Sequence, residues 1–415
     1  MYNLLMRIAN TTLDRNILAC YISDVVLGTY FQLPIWIVYQ LKFLTFDKIA
    51  FYSGLALITE VIAQLPTGAF ADIFGRRISL SLGNFLMATP MFLIALYPKP
   101  EAMLAFALLW GFGRAFIMGT SKPILYESLA RYNKVDAFPK ILSKSVIFFQ
   151  LSAAISIVTG GYLYKVSPNL PFLASGFASL IGVFTSFLFI EDQKKRTSPY
   201  LNKFISTAKS GFVEIFKNTY IAKLTILYAL TLGIAQTCQQ FLMQPFMLEL
   251  GMSDVARSWA AMAIKIFIAF LGAKILATTS IFKNKYFLLI IPFLMALSLI
   301  PAGFSVLPWA YIVFIGIAFN SGNTELFLSP EINKHLNSNI RSTAISMQRM
   351  LASIFGTIVQ WLSITVILKQ SVGSYYSYLG VFSLLIILPL AYSLMRQKHV
   401  YEQKNAILNS STTAN

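Results

Sequence analysis

Twelve stretches of this chain are so continuously apolar that water is the wrong solvent for them, and that property constrains the fold more than any other. They fall at approximately 16–41, 49–71, 78–97, 101–126, 142–165, 171–190, 221–248, 255–279, 285–303, 306–328, 342–368 and 374–395. Each holds about 20–27 residues, enough for a helix rising about 1.5 Å per residue to cross about 30 Å of hydrocarbon. In lipid a backbone must satisfy its own hydrogen bonds, so the expected fold is an all-helical integral membrane protein with twelve transmembrane helices. Only 12% of the residues are charged and the mean hydropathy is +0.67, against about 25% charged in soluble domains. Arg7, Asp14 and Arg15 precede a first stretch too long to be the core of a cleaved leader.

A formal charge of +17 invites a nucleic-acid reading, but the placement of the charges argues for topology instead. With both termini in the cytoplasm, only Lys42, Lys48, Lys99, Lys165, Arg257 and Lys369 lie outside, and Arg114, Lys265 and Arg349 lie within the membrane. The other 24 of 33 Lys and Arg sit at cytoplasmic ends and loops, the positive-inside pattern. Cys20 and Cys238 fall inside apolar segments and read as small packed residues, while His335 and His399 have no ligand-like spacing, so no metal site is expected. The largest polar interruption, 191–220, separates six spans from six, and its pattern after Pro199 suggests a short amphipathic helix on the cytoplasmic leaflet. The expected organisation is a six-helix bundle at 1–190, a cytoplasmic linker at 191–220, a second bundle at 221–396 and a polar tail at 397–415.

Between the second and third spans the chain reads PTGAFADIFGRR, supplying Gly68, Asp72, Gly75, Arg76 and Arg77. This G-x-x-x-D-x-x-G-R-R loop resembles the signature of the major facilitator superfamily, in the bacterial branch whose second helix carries P-T-G-x-x-A-D. YESL at 126–129 and RSTAISM at 341–347 are similar to patterns of the same branch. The chain departs from it at Gln64, where an acid is usual and Glu60 lies one turn away, and at Ser156-Ile157, where proton antiporters often carry Gly-Pro before the Gly160-Gly161 pair. The resemblance implies two pseudo-symmetric six-helix bundles, with the first, fourth, seventh and tenth spans lining a central cavity. It also implies that Asp72 faces the start of the eleventh span near Ser342, and that Arg76 or Arg77 reaches Glu127. A weak internal echo joins Gly119-Thr120-Ser121-Lys122 to Gly322-Asn323-Thr324-Glu325, making Lys122 and Glu325 a further candidate contact. Between the eighth and ninth spans a degenerate signature copy offers Gly272, Lys274, Lys283 and Lys285, with Leu276 in place of the acid.

Ionisable groups inside a span are costly and mark candidate sites. Asp24 reads either as a proton-coupling carboxylate opposite Arg114 or as a static pair locking the first span to the fourth. Glu60 with Arg349 reads as an interdomain gate or structural pair, since the second and eleventh spans of the family meet across the halves. Lys265 reads as an anion site or as a side chain snorkelling into water. The seventh span carries Gln236, Gln239, Gln240 and Gln244 before Pro245, and Gln236, Gln240 and Gln244 follow i, i+4, i+8 on one helical face. That stripe suits either substrate hydrogen bonding or helix–helix contacts, and Asn320 and Asn323 are similar candidates. Tyr21, Tyr30, Trp36 and Trp110 read as packing or interfacial anchors.

With no Walker loop, triad or metal cluster in the sequence, the expected function is secondary transport across the inner membrane by alternating access, not enzymatic, with proton-coupled export of an amphipathic compound such as a drug or siderophore-like metabolite. The alternative is proton-coupled uptake of a small organic anion or nutrient, and the remote one a non-transporting receptor or scaffold. The expected partners are a small-molecule substrate, protons and the lipid bilayer, with no nucleic acid and no cofactor, and the chain is expected to act as a monomer.

Overall fold

The computed structural model describes residues 11–191, 213, 215–267, 286–304, 306–307, 310–334 and 341–398. The amphipathic helix expected after Pro199, the degenerate signature copy at Gly272–Lys285, His335 and His399 therefore lie outside the described residues, as do the side chains of Lys265, Asn323 and Glu325. Among the described residues the chain is helical and has no strand. In chain order the helices are α1 Thr12–Gly28, α2 Trp36–Gln40, α3 Phe46–Phe74, α4 Arg76–Leu96, α5 Pro100–Ile117, α6 Ser121–Arg131, α7 Phe138–Val166 and α8 Leu170–Thr185. They continue with α9 Thr219–Thr237, α10 Met243–Glu249, α11 Asp254–Phe267, α12 Phe287–Leu299, α13 Ala310–Lys334, α14 Arg341–Ile367 and α15 Val372–Phe382. Every one of the twelve apolar stretches carries helix. Among the described residues, seven helices are long and apolar enough to cross a bilayer by themselves, and eight if bent α3 counts as one span.

Several of the described spans are interrupted, among them the first, second, fourth and seventh. α1 ends at Gly28, and its loosened backbone is taken up by α7: the Tyr30 N–H donates to Ser156 Oγ at 3.0 Å, and that hydroxyl lies 3.3 Å from the Gly28 carbonyl. The serine standing where antiporters often carry glycine is thus the cap of a broken helix. α3 bends by 49° between Phe46–Gln64 and Pro66–Phe74, where Pro66 removes a backbone donor and crowds the preceding turn. The fourth span breaks into α5 and α6 at Met118–Thr120 because Gly119 sits at φ +75, which only glycine adopts without strain. A Cβ there would touch nothing within 4 Å, so conformation alone selects the glycine. The seventh span passes from α9 to α10 through a π-helical turn, Cys238–Leu242.

The chain divides into two compact units, Met1–Asn202 with Gly251–Ala269, and Lys203–Leu250 with Phe270–Asn415. In the first, α3 packs on α5, α4 on α5 and α8, α1 on α7, and α11 on α7. Leu13, Cys20, Leu80, Ile117, Ile124, Leu125, Leu129 and Phe189 form a buried cluster that seats α6 against α1 and α4. On α6, Ser121, Ile124, Leu125 and Ser128 are buried at i, i+3, i+4, i+7, the stripe of an amphipathic helix. In the second unit α9 packs on α13 and α14, and α12 on α13. Large apolar side chains such as Ile62, Phe85, Ile155 and Phe184 stand exposed, as a hydrocarbon solvent allows.

Candidate coupling and gating sites

Asp24 lies on the last turn but one of α1, 7% exposed. Its Oδ2 pairs with Lys122 Nζ of α6 and accepts from Ser145 Oγ of α7. The ammonium also donates to Ser145 Oγ at 2.7 Å and to Cys20 Sγ at 3.3 Å, and Cys20 sits one turn before Asp24. Three helices therefore meet at one acid, one base, one hydroxyl and one thiol. The break at Gly119 makes this possible by starting α6 afresh at Ser121 and turning Lys122 toward α1. A lysine in the first turn of a helix opposes the helix dipole, so α6 holds it there only against a counter-charge. A proton on Asp24 would cancel the Coulomb attraction while leaving the ammonium its two neutral acceptors, Ser145 and Cys20.

Arg114 lies in the last turn of α5, and its ion partner is Glu60 of α3, with Nε to Oε2 at 3.7 Å. The guanidinium stands 5.5 Å from the Trp110 ring centroid, close enough for a cation–π contact. Its buried Nε has no hydrogen-bond partner among the described residues, so the pair is loose. The expected meeting of Asp24 with Arg114 is not what this structure holds: the two groups belong to separate ion pairs. The reason is the helix break, which leaves Arg114 on the face of α5 that packs on α3 and gives the α1-facing position to Lys122. Glu60 is paired inside its own unit, while Arg349 lies exposed on α14 in the other. A cavity of about 20 Å³ lined by Tyr30, Gln32, Asn84, Trp110, Ser175 and Ser179 lies nearby, with room for about one water and none for a drug-sized ligand.

At the junction of α3 and α4, Gly75 adopts φ +98, and Arg76 Nη1 meets Glu127 Oε1 of α6 at 2.8 Å. The carboxylate of Glu191 accepts from the backbone N–H groups of Arg76 at 2.8 Å and Arg77 at 3.3 Å, capping α4 with an anion where the helix dipole favours one. Asp72 is half-buried in the last turn of α3, and Gly68 is exposed one turn earlier.

In the second unit the seventh span carries its glutamines on both sides of and within the π-helical turn Cys238–Leu242. Gln236 is half-buried, Gln240 exposed and Gln244 buried, while Gln239 Oε1 accepts from Ser321 Oγ of α13 at 3.0 Å. Asn320 is buried with Nδ2 spent on the Gly316 carbonyl, and its Oδ1 has no hydrogen-bond partner among the described residues. Glu331 and Lys398 pair at 2.8 Å.

The family model described as Major Facilitator Superfamily matches residues 16–360. The chain belongs to that superfamily. Multidrug resistance protein 1 of Bacillus subtilis (strain 168) is 26% identical over 178 residues, 43% of this chain and 44% of the relative. Uncharacterized MFS-type transporter YxaM of the same organism is 24% identical over 233 residues, 53% and 55% of the two chains. The chain spans about half the length of the curated relatives it matches. Among solved structures, the nucleoside transporter NupG aligns with TM-score 0.68 and 17% identity over 93% of this chain and 98% of its own. The D-xylose-proton symporter aligns with TM-score 0.71 and 13% identity over 91% and 97%. At those identities the likeness is one of fold.

This member of the major facilitator superfamily is a multi-pass membrane protein with the helical fold of that superfamily. Two of its contact-making residues were invisible to motif reading. Ser145 is one serine among many, with no pattern to raise it, and Glu191 reads as the first residue of a polar linker. Lys122 carried a signal, since glycine at 119 and proline at 123 bracket it and such residues punctuate helices.

Proposed function

We propose that this facilitator is a proton-coupled exporter of small amphipathic compounds in the inner membrane, with both termini cytoplasmic, in which Asp24 is the coupling carboxylate and Lys122 its internal counter-charge. The observation that carries the reading is the Asp24–Lys122–Ser145 cluster, a buried acid whose cationic contact among the described residues sits beyond a break in the fourth span. Titration of such an acid changes the force between two helices, which is what coupling a proton to a conformational change requires. Arg114 then serves not as Asp24's partner but as the partner of Glu60. Gln239, Gln240 and Asn320 supply hydrogen-bonding groups for a substrate from the second unit. The direction of export is supported by the relative named Multidrug resistance protein 1, and by the neutralisation of Arg114, which removes one of the cations that favoured an anion importer. Purified protein in liposomes with an imposed pH gradient tests it. Amphipathic cations such as ethidium should move against proton flow, and movement that ignores the gradient would refute the coupling.

A further inference from the structure

At the cytoplasmic edge of the first unit the contacts close into a ring. The buried Asn16 of α1 donates from Nδ2 to Ser128 Oγ of α6 at 2.6 Å. Next to Ser128, Glu127 takes the Arg76 side chain at 2.8 Å. The main-chain N–H of the same Arg76 donates to Glu191 at 2.8 Å. Next to Glu191, the peptide of Ile190 returns to Asn16 twice, its C=O accepting from Nδ2 at 2.8 Å and its N–H donating to Oδ1 at 2.8 Å. The circuit runs through α1, α6 and α4 and through Ile190–Glu191 after α8, and every link is made by one residue or by two consecutive ones.

The ring has two halves of different character. Asn16 and Ser128 are buried, 0% and 8% exposed, where an unmatched amide is expensive and therefore keeps its partners. Arg76 and Glu127 are at the rim, with the Glu127 side chain 50% exposed, and such a pair contributes little alone. A closed circuit changes this, because each side chain is held in place by the link before it and spends less freedom on the next. We infer that Asn16 is a positioning residue for the signature loop: without touching Arg76 or Glu127, it fixes both the α6 residue beside Glu127 and the peptide beside Glu191, so the exit of the first unit and the signature loop move as one piece. The functional half of this inference rests on the gating role proposed for the signature loop, and the structural half does not.

A double-mutant cycle on the full chain in lipid nanodiscs and liposomes separates the two. Asn16→Ala and Arg76→Gln are made singly and together, with Asn16→Asp, which keeps the acceptor for the Ile190 N–H but loses both donations, as the version to use if Asn16→Ala does not fold. In a ring, the second break costs little once the first is made. The double variant should lower the thermal midpoint hardly more than the worse single one, and its fraction of parental turnover, at unchanged KM, should exceed the product of the two single variants' fractions by at least about threefold. A control cycle of Asn16→Ala with Ser175→Ala, remote from the ring, should be additive. Additive midpoints in the Asn16–Arg76 cycle would overturn the ring. Coupled midpoints with unchanged turnover in Arg76→Gln would keep the ring and overturn its role in gating.

Discussion

Replacing Asp24 by Asn removes one charge and little volume, so it isolates what the carboxylate does. In the parent, the Asp24 side chain is 10% exposed and its Lys122 partner 34% exposed. Leaving one partner of a fully buried pair uncompensated costs about 3–5 kcal/mol. A third of the lysine is already accessible, and Ser145 and Cys20 still accept from it, so the expected loss is smaller, about 1–3 kcal/mol. The protein should therefore fold. The neutral amide cannot take up or release a proton, so accumulation driven by an imposed pH gradient should fall at least about 100-fold, the loss of roughly 2.7 kcal/mol of coupling. Substrate equilibration down its own gradient should persist. Lys122→Gln should damage stability in the same range, and the double variant Asp24→Asn/Lys122→Gln should regain most of that stability while remaining uncoupled. The assay is uptake into proteoliposomes at several external pH values, with thermal unfolding of the same preparations. An Asp24→Asn protein that still accumulates substrate against its gradient with the parent's pH dependence would refute the reasoning and leave the cluster a static brace. Two singles whose stability losses add in the double would refute the pairing itself.

Three further outcomes follow from the same geometry. Glu60→Gln and Arg114→Gln should each lower the thermal midpoint, and the double variant should recover part of the loss, with an expected coupling of about 0.5–2 kcal/mol given the 3.7 Å separation; fully additive losses would show that the two charges do not interact. Gly119→Ala should cost about 1–2 kcal/mol because φ there is +75 and the added methyl meets no neighbour, while Gly119→Asn should cost less; equal losses in unfolding experiments would mean that the break does not depend on that φ. Asp72→Asn should raise cytoplasmic thiol labelling of Gln240→Cys in a background lacking Cys20 and Cys238, by shifting the population toward the inward-open state; unchanged labelling with intact transport would reduce the signature loop to a topology marker.

The spans were legible because lipid leaves a chain few options: long apolar runs must be helices. The signature loop was legible because its glycine, acid and arginines occur together at fixed spacing, and Arg76 does meet Glu127. What did not follow from the sequence is which buried charge meets which. The pairing of Asp24 with Lys122 rather than Arg114 turns on nine residues of the fourth span, from Arg114 to Lys122. Drawn as one regular helix, that span carries Lys122 out toward cytoplasmic water and leaves Arg114 as the only deep cation. Broken at Gly119, it becomes two short helices with independent faces, and one cation goes to α3 and the other to α1. Backbone irregularities inside a membrane must find hydrogen-bond partners from neighbouring helices, so they depend on tertiary contacts such as Ser156 with Gly28 and Tyr30. A single glycine at 119 hints at a break, but only the packed helices decide that it happens and where the next side chain then points.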